Sequence, residues 1–328
     1  MEQSHFKEFR AACCQRLDAL FPTQGLRVFV YAARGDVVSC DRRAFMAKRG
    51  RDGAALHVPP DTYSIMTYNL WNNLTNFQTR EPALRRQLAS LDPDVLLAQE
   101  VLPPITSCVL TALKTHTCIQ QSQGDDPRWA TECNIFWRKN LLEHVEHGSV
   151  DIGQKELERR LFWVRLRSIH SSKTSLFATA HFTWQGAEEE YKSDVNVRKD
   201  QSRRTAEALA QLRKGEVDEA VFFGGDLNEG WWPREIPTRA GFKDCFAAMH
   251  LPARPTHPAC PCVAYEEGNA DHVLDWLFHR GTRVRVLLAS VIKDMCGLSS
   301  DDPNEETCMS IQPSDHMPVM AVYRVSSS

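Results

Sequence analysis

Val221-Phe222-Phe223-Gly224-Gly225-Asp226-Leu227-Asn228 is an apolar strand pattern that runs straight into two hydrogen-bonding side chains. Its aromatic and β-branched residues suit a buried strand, and the paired glycines allow close backbone approach to a ligand at its end. The same design recurs along the chain. Ile65-Met66-Thr67-Tyr68-Asn69 ends in an amide, Val95-Leu96-Leu97-Ala98-Gln99-Glu100 in an amide and a carboxylate, and Leu176-Phe177-Ala178-Thr179-Ala180-His181 in an imidazole. Leu274-Asp275-Trp276-Leu277-Phe278 carries a carboxylate within a strand pattern, and Ser314-Asp315-His316 stands just before the apolar run from Met317 to Val325. Taken alone, a polar residue at a strand end is a turn former. An ordered series of them is what rigid strands present when they build a catalytic constellation.

Working outward, further strand patterns fall at 63–68, 133–137, 162–166, 284–292 and 319–325, and helical patterns at 81–91, 198–212 and, more weakly, 104–113. Many strands with few helices predict an α/β (α+β) domain whose helices cover packed sheets. Residues 1–58 read as a separate extension. Phe6 to Phe21 fits an amphipathic helix, Leu26 to Tyr31 a strand, Arg34-Gly35-Asp36 a turn, and Arg42 to Arg51 a basic linker closed by Pro59-Pro60. Such an extension reads either as a surface for a protein partner or as the remnant of a larger module, and the main domain is expected at 59–328. Oligomeric state leaves no mark in the sequence.

With 42% hydrophobic and 25% charged residues, the 328-residue chain is composed like a globular protein with a large core, which excludes wholesale disorder. A net charge of -3 argues against a broadly basic protein that coats nucleic acid. No apolar run reaches the ~18–20 residues that span a bilayer, and Glu2, Lys7, Glu8, Arg10, Arg16 and Asp18 interrupt any signal-like core. The odd count of 11 cysteines reads as reduced thiols in an intracellular, cytoplasmic or nuclear setting. His257, Cys260, Cys262 and His272 form a candidate zinc quartet, but structural sites space their cysteines more widely, and a Pro-rich surface loop is the better reading.

Asn69, Gln99-Glu100, His181, Gly225-Asp226-Leu227-Asn228, Asp275 and Ser314-Asp315-His316 together resemble the motif series of the endonuclease/exonuclease/phosphatase superfamily, which has the DNase I-like fold. The resemblance covers residues ~62–325. It implies a four-layer α/β/β/α sandwich of two packed mixed sheets and a divalent-metal-dependent phosphodiesterase. It further implies that Asn69, Glu100 and Asp315 face Mg²⁺, with Mn²⁺ as the alternative, and hard oxygen donors suit both ions. By the same resemblance, Asp226 orients or deprotonates the attacking water, Asn228 hydrogen-bonds that water or the phosphate, His181 and His316 stabilise the transition state, and Asp275 holds His316. Whether the water's proton goes to Asp226 or to a histidine stays open at this level.

Gln99-Glu100-Val101 and His181 depart from abasic-site endonucleases, and Leu274-Asp275-Trp276-Leu277 departs from inositol polyphosphate 5-phosphatases. A nucleic acid or nucleotide is the expected substrate. The competing readings are a phospholipid (sphingomyelinase-like) or sugar-phosphate phosphoesterase, and an inactive binding scaffold of the same fold. Trp71, Trp184, Trp231 and Trp232 each lie within four residues of a candidate catalytic position. Such aromatic faces stack bases or attract a choline headgroup, while burial as core residues is the plain alternative. Arg159 and Arg160 are candidates for phosphate contact. Arg198, Lys199, Arg203 and Arg204 read first as a salt-bridged solvated helix face.

Overall fold

The computed structural model describes residues 28–31, 37–40, 61–120, 125–153, 158–213, 219–257, 272–292 and 312–326. The helix expected at 6–21, the basic linker, Cys260 and Cys262 lie outside them. In chain order the elements begin with β1 (Val28–Tyr31) and β2 (Val37–Cys40), paired as an antiparallel hairpin. There follow β3 (Thr62–Asn69), α1 (Phe77–Leu91), β4 (Val95–Gln99), α2 (Pro103–Ala112) and β5 (His116–Cys118). A 3-10 turn (Pro127–Ala130) leads to β6 (Cys133–Arg138), β7 (Leu142–Asp151), β8 (Arg160–Ser168) and β9 (Thr174–His181). Next come α3 (Glu188–Ser193), α4 (Val197–Leu212), β10 (Ala220–Asp226), α5 (Trp232–Arg239), β11 (Lys243–Asp244) and α6 (Cys245–Ala248). The last strands are β12 (Asp275–Arg280), β13 (Val284–Val291) and β14 (Val319–Val325).

Two six-stranded sheets form, ordered β13-β14-β3-β4-β6-β5 and β11-β12-β10-β9-β8-β7. Each is mixed: β3 runs parallel to β4 and β9 parallel to β10, and the remaining pairs are antiparallel. The sheets face each other across a core of Ile65, Leu97, Phe162, Phe177, Phe222 and Tyr323. There the Phe222 ring packs against Tyr323, 5.0 Å between centroids. On the outer face of the first sheet lie Leu84, Leu88 and Leu91 of α1 with Ile105 and Val109 of α2; Ala208 and Leu209 of α4 cover the second. This is the four-layer α/β/β/α sandwich. Central strands are buried on both faces, so they read as apolar runs rather than as alternation. No helix among the described residues is long and apolar enough to cross a membrane.

Three elements differ from the sequence reading for clear reasons. Helix α1 starts at Phe77 and carries Pro82 inside it, beyond its first turn; an interior proline costs a helical hydrogen bond, so Pro82 reads in sequence as a helix start. Strand β7 is an edge strand whose exposed positions carry Glu143, His144, Val145 and Asp151, so it has no apolar signature. Helix α5 contains Pro233 and Pro237, which break the usual helical pattern.

The two glycines before Asp226 also serve a different purpose from the expected one. A Cβ on Gly225 would lie 2.0 Å from the Ala180 carbonyl oxygen of β9. The close approach is therefore strand to strand, and it sets Asp226 beside His181 in register. Gly225→Ala should cost at least ~1–3 kcal/mol, the usual penalty of overpacking, because the obstacle is backbone and cannot rotate away. Chemical denaturation of the variant checks this; an unchanged midpoint would show that β9 and β10 can separate freely.

Candidate active site

The strand directions bring the polar ends together. Parallel pairing sets Asn69 beside Gln99 and His181 beside Asp226, and antiparallel pairing sets Asp275 opposite Asp226. Val319 pairs with Thr67, so Ser314-Asp315-His316 enters β14 at that same edge. Local hydrogen bonds fix the ends: Ser314 Oγ donates to the Asn69 carbonyl at 2.7 Å, and Thr256 Oγ1 accepts from the Asp275 amide at 3.1 Å. Trp71, Glu100 and Asn228, each just past a strand end, adopt left-handed backbone with φ of 57°, 54° and 51°. Such conformations cost energy and gather at functional sites.

At the centre, Asn69 Nδ2 donates to Glu100 Oε1 at 3.1 Å and to Asp226 Oδ2 at 3.0 Å. Its Oδ1 accepts from the Trp71 amide at 2.9 Å, and Glu100 Oε2 accepts from the Asn72 amide at 2.8 Å. Asp226 Oδ1 accepts from the Asn228 amide at 3.0 Å, while Asn228 Nδ2 donates to the Phe182 carbonyl. Asp226 is 1% exposed. Burial pushes its carboxyl up to about 7, with Asp275 adding to the rise and the His316 charge opposing it.

Two histidines flank Asp226 Oδ2 in opposite charge states. His316 Nδ1 lies 2.8 Å from Asp275 Oδ2, and its Nε2 lies 3.5 Å from Asp226 Oδ2. Burial alone would drive His316 neutral, but Asp275 and Asp226 outweigh it and hold the ring charged, well above the ordinary imidazole range. His181 Nε2 sits 3.4 Å from Asp226 Oδ2 and 3.9 Å from Glu100 Oε1. Its Nδ1 faces Arg159 Nη1 at 3.1 Å. Guanidinium has only donors, so that Nδ1 accepts and the proton sits on Nε2. Burial, then Arg159 and His316, keep His181 neutral, well below the usual value.

Glu100, His181, Asp226, Asn228 and His316 line a cleft of about 230 Å³ together with Glu132, Arg159 and Trp184, with Asn69, Asp275 and Asp315 outside its lining. Glu132, 3.6 Å from Arg159, is pushed up to about 7 by burial despite that cation. The Trp184 ring lies 5.9 Å from the Arg159 guanidinium and is 47% exposed. The other three tryptophans lie off the cleft walls. Trp71 stacks on buried Arg80 at 5.0 Å, Trp232 carries Lys199 at 4.2 Å, and Trp231 is exposed. Arg160 pairs with Asp126 at 2.6 Å and lines a separate depression with Arg128 and Arg204. On α4, Arg203 and Arg204 bind Asp200, and buried Arg198 bridges Glu190 and Glu229, so this face is internally salt-bridged. Asp315 groups with His257 and His316, its carboxyl raised to about 6 by burial and by Glu100, with His316 opposing.

Three contributors escaped the sequence reading. Glu132 precedes β6, which runs antiparallel to β4, so its start had to lie at the end of β4. Arg80 is the one cation on the buried stripe of α1. It donates to the carbonyls of Leu70 at 3.1 Å, Pro313 at 2.6 Å and Trp71, tying the Asn69 loop to the segment before Ser314. Thr256 lies in a stretch with no pattern of its own.

The donor set suits a hard divalent cation. Glu100 and Asp226 bring carboxylate oxygens to one amide, and after burial the Glu100 charge helps to raise both Asp315 and Asp226, a repulsion that a cation would relieve.

No family model matches this sequence, and neither does any curated protein. Among solved structures, similarity extends to D. rerio TDP2 complexed with single strand DNA product: 16% identity, TM-score 0.62, 80% of this chain and 99% of that one. A mannosyl-6-phosphatase of Bacteroides thetaiotaomicron is similar at 17% identity and TM-score 0.62, over 79% of this chain and 98% of its own. The human Nocturnin catalytic domain with bound sulfate gives 14% identity and TM-score 0.58, over 82% and 96%. The fold is thus the DNase I-like fold of the endonuclease/exonuclease/phosphatase proteins.

Asp275 should govern the charge of His316. A histidine whose folded value is raised adds stability below its unfolded value and loses that contribution as pH rises through the folded one. In Asp275→Asn the loss should begin at lower pH. Unfolding free energies of both proteins across neutral to alkaline pH test this; superimposable curves would mean that Asp275 does not hold the proton.

Proposed function

We propose that this chain is a divalent-metal-dependent phosphoester hydrolase acting on a nucleic acid or nucleotide. The observation that carries the reading is the surroundings of Asp226: a buried carboxyl near neutrality between a charged and a neutral imidazole, with Glu100 alongside. Glu100 would hold Mg²⁺ or Mn²⁺, with the Asn69 amide orienting its carboxylate and Asp315 adding negative charge nearby. The bound ion supplies neutralisation of charge on the phosphate and the leaving oxygen.

The remaining chemistry falls to the chain's own side chains. Asp226 is the general base that takes the proton of the attacking water, since a base works best with a pKa near the working pH. Neither histidine competes for that proton: His316 is already charged, and His181 has Nδ1 occupied by Arg159 and a proton on Nε2. Both instead present N–H groups to the phosphate oxygens as charge develops on them. Asn228 fixes the Asp226 carboxylate through its backbone amide. The completeness of this set weighs against an inactive scaffold.

Preference for a nucleotide rests on Trp184 and Arg159, an exposed aromatic face beside a buried guanidinium at the cleft. One would stack a base and the other meet a phosphate. The similarity to TDP2 with single strand DNA product supports this reading; the similarity to a mannosyl-6-phosphatase makes sugar phosphates the comparison to test.

Hydrolysis of bis-p-nitrophenyl phosphate with Mg²⁺, and its loss with EDTA, tests the reaction class. A panel of oligo(A), single-stranded DNA, 5′-tyrosyl DNA, sphingomyelin, inositol polyphosphates and sugar phosphates tests the substrate. Glu100→Gln should weaken divalent binding at least about tenfold and cut turnover by orders of magnitude with the fold intact; full activity at limiting Mg²⁺ would remove Glu100 from the site. Trp184→Ala should cost ~1–3 kcal/mol in binding a nucleotide substrate and much less on the base-free ester. Equal losses on both would leave the nucleotide preference without support.

A further inference from the structure

His257 has no part in the reaction above, yet it stands against the catalytic pair. It is held by a two-residue antiparallel bridge, donating its amide to the His272 carbonyl at 3.1 Å and accepting from the His272 amide at 2.8 Å. The neighbouring Thr256 carbonyl accepts from the Met317 amide at 2.7 Å, which joins this bridge to the segment carrying Asp315 and His316. The His257 and His316 rings lie 4.6 Å apart between centroids. One ligand atom each from His257, Asp315 and His316 falls within 4.8 Å of the other two.

We propose that His257, Asp315 and His316 form a second cation site, selective for borderline metals such as Zn²⁺, whose occupation switches the hydrolase off. Donors ~2.0–2.1 Å from one tetrahedral zinc sit roughly 3.3 Å apart, a spacing that small side-chain rotations reach from the observed one. Two imidazoles and one carboxylate favour zinc, copper or nickel, whereas Mg²⁺ prefers oxygen donors such as the Glu100 carboxylate. The two sites therefore sort ions by donor type.

The Asp275–His316 hydrogen bond already prepares the ligand. His316 Nδ1 is engaged by Asp275 Oδ2 at 2.8 Å, leaving Nε2 as the ligating atom. A carboxylate behind the distal nitrogen of a metal-bound histidine is the arrangement that orients such ligands and raises their basicity. On binding, the Nε2 proton passes to solvent and its lone pair goes to the metal, while the Nδ1 proton stays with Asp275. His316 can then no longer give an N–H to a phosphate oxygen. That inhibitory consequence rests on the role assigned to His316 above; the metal binding itself does not.

The test uses the full chain with saturating Mg²⁺, so that the oxygen site is filled. Calorimetric titration with Zn²⁺ should show one bound equivalent, and Co²⁺ should give the intense visible absorption of a four- or five-coordinate ion. His257→Ala, and His257→Gln as a second variant of closer volume, should lose that absorption, while the Cys260→Ser, Cys262→Ser double variant keeps it. Zn²⁺ should inhibit the wild-type chain despite the Mg²⁺, and His257→Ala should need at least about tenfold more, since even an outer-shell loss costs that much affinity. No Zn²⁺ binding to the unmodified chain in Mg²⁺, unchanged absorption in both His257 variants, or absorption lost only with the cysteines would each overturn the proposal. Zinc binding that depends on His257 in a chain inactive on every phosphoester would uphold the site and overturn the phosphoester reading instead.

Discussion

Two buried amides tie the sheets together at the end where the site forms. Gln99 of β4 donates to Thr67 Oγ1 at 3.2 Å within its own sheet and to Thr179 Oγ1 of the facing sheet at 2.7 Å. Asn69, one strand over, donates to Asp226 across the same gap. Deeper between the sheets the contacts are largely apolar, with His279 against Tyr323 as an exception, and would tolerate some sliding. These donors would not, because an amide stripped of its partner in a dry core costs ~1–3 kcal/mol. The polar seam therefore fixes the relative register of two sheets whose hydrophobic contacts are nondirectional. At the far end Asp61, at the start of β3, accepts from Ser168 Oγ of β8 at 2.7 Å, so the sandwich is pinned at both ends.

Much of this was legible in the chain because apolar runs stopped abruptly at polar residues. Asn69, Glu100, His181, Asp226, Asp275 and His316 all sit at strand ends, and parallel or antiparallel pairing alone brings them to one edge. What a run of letters hides is which side of a strand a residue faces. Arg159 and Arg160 are adjacent, yet one reaches His181 and the other Asp126. Four tryptophans sit close in sequence to the site, but distance along the chain does not set direction in space, and Trp184 alone among them lines the cleft. The purpose of Gly225 was equally hidden: a missing side chain announces close approach without naming what approaches. Glu132 was discoverable only through strand direction, which requires the pairing β4–β6 to be known first.

The same seam explains why two chemically identical rings end in opposite states. His316 enters with β14 and meets Asp275 of the other sheet, so its proton is held by a carboxylate delivered across the gap. His181 belongs to β9 and meets Arg159 just before β8, its neighbour in the same sheet, so its proton is repelled from Nδ1. Both then direct Nε2 at a single oxygen of Asp226. Such a site has one proton acceptor and two donors, and that division of labour exists only while the sheets stay in register. Widening the gap would separate His316 from Asp275 and Asn69 from Asp226 together, while the His181–Arg159 contact, internal to one sheet, would survive. A displacement of even ~1 Å at reacting groups costs about a hundredfold in rate. Packing of Phe222 against Tyr323, far from the chemistry, thus belongs to the same mechanical unit as the site.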